Sequence, residues 1–209
     1  MLLFVYENHK ILDIANGKKL KEKFMLKNIF IFIIITCNLL LAQEYFPLED
    51  GLTKLYKGKS KDFTKKEIIK KEVNTFRITT NTNLGDVTIE SQKIYSFDET
   101  GVYEVASGGG ILQGSVTFHK SPYPLLKYPL KINQEWSYVE DGGRKITRQT
   151  VDTLSEFKIG TKTYNDVLKI RHTIRDGGKD WVSIEYYSKT HGLIKVELAD
   201  GTLFLYLAE

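Results

Sequence analysis

Cysteine is nearly missing from this chain. Its one copy, Cys37, lies inside an apolar run. From residue 43 onward there is no thiol, which excludes a disulfide framework, a thiolate nucleophile and cysteine-bound zinc there. Proline is scarce too, four in 209 residues, and no Pro- or Ser-rich linker divides the chain. Excess charge is also small. The whole chain is formally +4, but residues 1–42 hold six lysines and three acids, which leaves 24 basic against 23 acidic residues in the rest. That balance offers no basic face, so nucleic acid is not an expected partner. Long hydrophobic runs are few. The main one extends from Ile29 to Ala42, broken by Thr36 and Asn38. It is shorter than the roughly 20 residues of a spanning helix and suits the roughly 7–15 of a signal-peptide core. No transmembrane segment is expected after it.

The flanks of that run read as an export signal. Lys27 precedes it, the small Ala42 ends it, and polar Gln43-Glu44 follows. Cys37 is preceded by Thr36 and followed by Leu39, Leu40 and Leu41, which is the wrong context for lipid attachment. Residues 1–24 mix Glu7, Asp13 and Glu22 with lysines, whereas Met25-Leu26-Lys27-Asn28 reads as a normal start. The expectation is therefore an upstream start over 1–24, a signal peptide over 25–42, and one β-rich domain over 43–209, periplasmic or secreted in a Gram-negative bacterium.

What is present is strand pattern. Leu168, Ile170, His172 and Ile174 alternate with Lys169, Arg171, Thr173 and Arg175, a period of two with one apolar and one charged face. Val182, Ile184 and Tyr186 alternate with Ser183, Glu185 and Tyr187, and Leu203, Leu205 and Leu207 close the chain. Asp141-Gly142-Gly143, Asp176-Gly177-Gly178 and Asp200-Gly201 sit between such runs, as do Thr100-Gly101 and His191-Gly192. Glycine supplies the positive φ of tight hairpin turns. Short turns between strands make antiparallel neighbours. The expected fold is mainly β: an antiparallel meander of about nine or ten strands, curled into a barrel or open half-barrel, with at most one short helix, around Phe63 to Lys71.

The chain hints at an internal repeat over 45–105 and 128–198. Tyr45-Phe46-Pro47-Leu48 resembles Tyr128-Pro129-Leu130. Tyr95-Ser96 before Gly101-Val102-Tyr103-Glu104-Val105 resembles Tyr187-Ser188 before Gly192-Leu193-Ile194-Lys195-Val196. The opening Tyr128-Pro129-Leu130 with Trp136, and the close Tyr186-Tyr187 with Gly192-Leu193-Ile194-Lys195, resemble uncharacterised exported proteins of Gram-negative bacteria. Some of these look similar to the outer-membrane lipoprotein carriers. That resemblance implies a curved antiparallel sheet around an apolar cavity, and it transfers no activity.

Catalytic and cofactor motifs are absent. Gly108-Gly109-Gly110 with Gly114 misses the spacing of a phosphate loop and is followed by a strand-like run, so it reads as a turn or bulge. His119, His172 and His191 form no metal-ligand array, and no serine sits in a nucleophile elbow. Trp181, Ser183, Glu185 and Tyr187 share one phase. A carboxylate between aromatics resembles a sugar subsite, but glycoside hydrolysis needs a second carboxylate and the sequence identifies none. The lysines between Lys54 and Lys71 read as a solvated segment. No catalytic residue, metal or cofactor is expected. The first functional expectation is a non-catalytic structural or macromolecule-binding role in the envelope. The alternative is a binding module for an apolar or amphipathic small molecule or lipid, with Trp136, Tyr138, His172, Trp181 and Tyr186 as candidate contacts. A hydrolase is the least favoured reading.

Overall fold

Glycine sits where the chain reverses. At Asp176-Gly177-Gly178 both glycines hold positive φ, 54° and 79°, the conformation that a tight hairpin needs and that glycine adopts without strain. The computed structural model describes residues 45–110 and 114–208. The expected start at Met25 and the cleavage after Ala42 lie outside these residues. The described chain folds into β1 (Thr53–Gly58), β2 (Phe63–Lys71), β3 (Phe76–Leu84), β4 (Val87–Asp98), β5 (Gly101–Gly109), β6 (Gly114–Lys127), β7 (Glu135–Val139), β8 (Lys145–Ile159), β9 (Lys162–Asp176), β10 (Lys179–Ser188), β11 (Gly192–Leu198) and β12 (Leu203–Leu207).

The twelve strands form one sheet in the order β6-β5-β4-β3-β2-β1-β12-β11-β10-β9-β8-β7. Apart from the β6–β7 step, each strand pairs antiparallel with the next in sequence, and β1 pairs with β12 at Tyr56↔Leu207. The meander is thus nearly closed into a barrel. Its two edges, β6 and β7, meet through side chains. Trp136 Nε1 donates to the Pro124 carbonyl at 3.0 Å, the Asp141 N–H donates to Tyr123 Oη at 2.7 Å, and the Tyr123 and Tyr138 rings stack at 5.1 Å.

Among the described residues no helix forms. The expected short helix at Phe63–Lys71 is β2. Its lysines and glutamate suit a helix locally, but pairing with β1 on one side and β3 on the other supplies a full set of long-range hydrogen bonds that overrides that weak preference. The same stretch explains why there are twelve strands instead of nine or ten: β1 and β2 turn charged residues inward, so they show no apolar alternation.

β9 shows the phase that its sequence announces. Leu168 and Ile170 are fully buried, while Lys169, Arg171 and Arg175 lie on the opposite face. Membrane barrels carry an apolar band on that outer face. No helix among the described residues is long and apolar enough to cross a membrane. Gly108 and Gly109 lie at a register shift where β5 meets β6, a bulge.

Two segments fill the end of the barrel at which β1 and β7 begin. Tyr45, Phe46, Leu48 and Leu52 precede β1, and Tyr128 and Leu130 precede β7. All pack on the core around Phe76, Val102, Leu126, Trp136, Leu168 and Ile170. The sequence pairs these two segments with each other. It also pairs Tyr95-Ser96 with Tyr187-Ser188, and there the ladder shifts register at Ile94/Tyr95 in one half and at Tyr186/Tyr187 in the other.

Candidate functional site

Apolar packing stops partway along the barrel. Beyond it lies a cavity of about 440 Å³ whose walls come from both halves of the sheet. Phe46, Leu48 and Leu193 lie against it on the plugged side. Tyr56, Tyr95, Tyr138 and Tyr187 present rings and hydroxyls, and Thr80, Thr82 and Ser91 add smaller polar groups. Glu140 and Arg144, from the turn between β7 and β8, form part of its rim, with Arg144 half exposed.

One wall of the cavity carries an ion-pair network built across three strands. Arg148 on β8 is 2% exposed. Its Nη2 donates to Glu185 Oε2 and, at 3.1 Å, to Tyr187 Oη. Tyr187 Oη in turn donates to Glu185 Oε2 at 2.7 Å, and His172 Nδ1 lies 3.1 Å from Glu185 Oε1. The geometry follows from register: Arg148 pairs with His172 in the β8–β9 ladder, and His172 pairs with Ser183 in the β9–β10 ladder. Burial alone would push the Glu185 carboxyl up. The Arg148 guanidinium outweighs it, with help from His172 and Tyr187, and holds that carboxyl well below the usual carboxylate range. Arg148 Nε and Thr150 Oγ1 are buried with no hydrogen-bond partner.

Two further ion pairs enter the cavity. Lys65 meets Glu67 at 2.7 Å and Lys93 meets Glu104 at 2.7 Å. Tyr56 Oη donates to Glu67 Oε2 at 3.2 Å. At the β6–β7 seam His119 Nε2 lies 3.3 Å from Glu104, and its ring stacks on Tyr123 at 3.9 Å.

No family model matches the chain, nor does any curated protein or any solved structure. The site is therefore read from its own chemistry.

Of the five residues singled out in the sequence, Tyr138 and His172 line the cavity. Trp136 is buried beside it in the apolar core, its ring nitrogen held by Pro124. Trp181 is 65% exposed. Its phase matches that of Glu185 and Tyr187, but it lies two residues into β10, near the hairpin tip. Tyr186 alternates with Glu185 and Tyr187 and so faces the other way, stacked on Phe157 at 4.7 Å and hydrogen-bonded to Glu197. These two do not line the cavity. The lysine-rich stretch is corrected: Lys54 and Lys65 line the cavity. Sequence reasoning missed Lys54, Tyr95 and Arg148, and it found no partner for Glu185. For Arg148 a signal existed, since Ile146, Arg148 and Thr150 share one phase of β8.

Proposed function

We propose that this protein is an exported, non-catalytic binding protein of the cell envelope that holds a small amphipathic molecule inside its barrel. One observation carries this reading: the interior keeps a cavity of about 440 Å³ lined by tyrosines and charged groups. Ligand cavities span roughly 300–1,000 Å³ and combine aromatic walls with a few placed polar groups. A purely structural barrel fills that space with side chains. Buried ion pairs are a poor way to stabilise a fold, because apolar residues of like volume do as well or better. Their presence here, with Arg148 Nε on the cavity wall unpaired, is better explained by a polar guest. The Arg148–Glu185 pair favours binding over acid catalysis, since a carboxyl held ionised has no proton to donate. The export half of the proposal rests on the pattern from Lys27 to Ala42.

The test is binding of N-phenyl-1-naphthylamine, a neutral amphipathic dye, followed by its fluorescence. Wild type should bind it with roughly micromolar affinity. Thr80→Trp, which places a large ring in the cavity, should abolish binding while the fold persists by circular dichroism. If folded wild type binds no dye, the binding role falls and a structural role takes its place.

A further inference from the structure

Four carboxylates line the cavity and each has its own cation. Glu67 pairs with Lys65, Glu104 with Lys93, Glu140 with Arg144 and Glu185 with Arg148. The cavity has a fifth cation, Lys54. Among the described residues no carboxylate lies within ion-pair distance of it. Glu67 stands directly across the β1–β2 ladder from Lys54, but both its oxygens are engaged, Oε1 by Lys65 at 2.7 Å and Oε2 by Tyr56 at 3.2 Å. Lys54 is only 8% exposed. A Cβ at Gly192 would come within 3.0 Å of its Nζ and 3.1 Å of Pro47, so the ammonium lies against the plug segment, near the turn into β11.

We infer that Lys54 is the anchor for one anionic group, and that the ligand is a small organic acid bearing a single negative charge, such as a carboxylate, on an amphipathic body. This inference rests on the binding role proposed above. A buried cation without a counter-ion is unfavourable until an anion meets it, and in a desolvated site that pairing is strong. Burial pulls the Lys54 ammonium's pKa down and Glu67 only partly opposes this, as expected for an amine without a full partner. The other charges in the cavity cancel in pairs. A second anionic group would compete with carboxylates already in place, and a cationic ligand would meet Lys54 with no free carboxylate to offset it. Phe46, Leu48 and Leu193 supply the apolar surface for the rest of the molecule.

The experiment titrates the full chain with 1-naphthoate, 1-naphthamide and 1-naphthylmethylammonium by calorimetry. These share a ring system and differ in charge. Wild type should bind the acid about tenfold or more tighter than the amide, with the ammonium weakest. Lys54→Met should remove the preference and bring the acid down to the amide's affinity, with circular dichroism showing that the variant folds. Lys54→Arg should keep most of the preference for the acid. Equal binding of acid and amide by wild type, or a preference that survives in Lys54→Met, overturns the anchor and leaves the binding role intact. If none of the three ligands nor the neutral dye binds, both proposals fall together.

Discussion

Arg148 on β8 reaches past β9 to Glu185 on β10, and the two charges meet inside the barrel with His172 and Tyr187 around them. Removing Glu185 leaves Arg148 buried without a counter-ion, and removing Arg148 leaves the Glu185 carboxylate buried with only His172 and Tyr187 beside it. Arg148→Met and Glu185→Gln should therefore each cost about 3–5 kcal/mol in urea denaturation. The double variant Arg148→Met/Glu185→Met should recover much of that loss. The pair also sets an acid limit. Glu185 titrates far below its ordinary 4.5 in the folded chain because Arg148 outweighs its burial. A depressed folded value adds stability above the unfolded value and loses it as pH falls below it. Wild type should lose stability below about pH 4.5 at a slope steeper, by up to one proton, than the double variant. Equal slopes would show that Glu185 is not ionised in the fold.

The chain has two tryptophans, and they report on different places. Trp136 is 5% exposed and spans the β6–β7 seam, whereas Trp181 is 65% exposed. Trp181→Phe should leave a blue-shifted emission shielded from acrylamide, and Trp136→Phe a red-shifted emission that acrylamide quenches. Trp136→Phe loses the bond to Pro124 and should cost about 0.5–1.5 kcal/mol. Trp136→Ala also opens a cavity and should cost roughly 3–5 kcal/mol. If Trp136 proves as quenchable as Trp181, the seam is open.

Ile170 tests the phase of β9. It is fully buried in the core, while its neighbour Lys169 lies on the other face over the Tyr186 ring at 5.5 Å. Ile170→Ala should cost roughly 2–5 kcal/mol. Lys169→Ala should cost no more than about 1 kcal/mol, the scale of an exposed cation–π contact. Equal costs would put the strand in the other phase.

These residues also show what the sequence makes legible. Ile170 and its strand were readable because β9 alternates apolar inside with charged outside. The hairpins were readable because glycines at 177, 178 and 201 mark their turns. The charged lining of the cavity was not readable, for the opposite reason. Lys54, Lys65, Glu67 and Arg148 face inward, and a charged residue in a hydropathy pattern looks like one that faces water. Only long-range partners distinguish the two cases: Glu185 meets Arg148 from a strand that is not its neighbour in the sheet. Trp181 and Tyr186 fail for geometric reasons. Trp181 has the inward phase but lies near the hairpin tip, and Tyr186 is one residue away from the inward Tyr187. Phase fixes the face of a residue and leaves its depth along the barrel open.

The tyrosines set an alkaline limit. Burial, reinforced by nearby carboxylates, holds the hydroxyls of Tyr56, Tyr95 and Tyr187 well above 10.0, and burial pushes Tyr138 up to about 12. In the unfolded chain these groups lose protons near 10.0, so the stability they confer is full below that value and declines as pH rises above it. Ultraviolet titration of the twelve tyrosines should show one group ionising reversibly and a second ionising only as the fold is lost. A single reversible step with the fold intact would contradict the buried tyrosine lining.

Lys54 gives the last prediction, and its sign is unusual for a lysine. In the folded chain its pKa lies below the ordinary 10.5, first because of burial and further because of Lys65, with Glu67 opposing both. The folded state therefore binds a proton less readily than the unfolded chain. Between the lowered value and 10.5 the unfolded chain holds more protons, so stability gained from this residue rises with pH through that window, and below it the buried ammonium is a constant burden. Lys54→Met removes the burden. The ligand-free variant should be more stable than wild type at neutral pH by roughly 0.5–2 kcal/mol, the scale usual when a group kept for function is replaced. The gap should narrow as pH rises toward 10.5. Urea midpoints across that range measure it directly. A site kept for binding costs stability when empty, whereas a purely structural lysine contributes to it. If Lys54→Met instead weakens the ligand-free barrel at every pH, Lys54 is part of the scaffold.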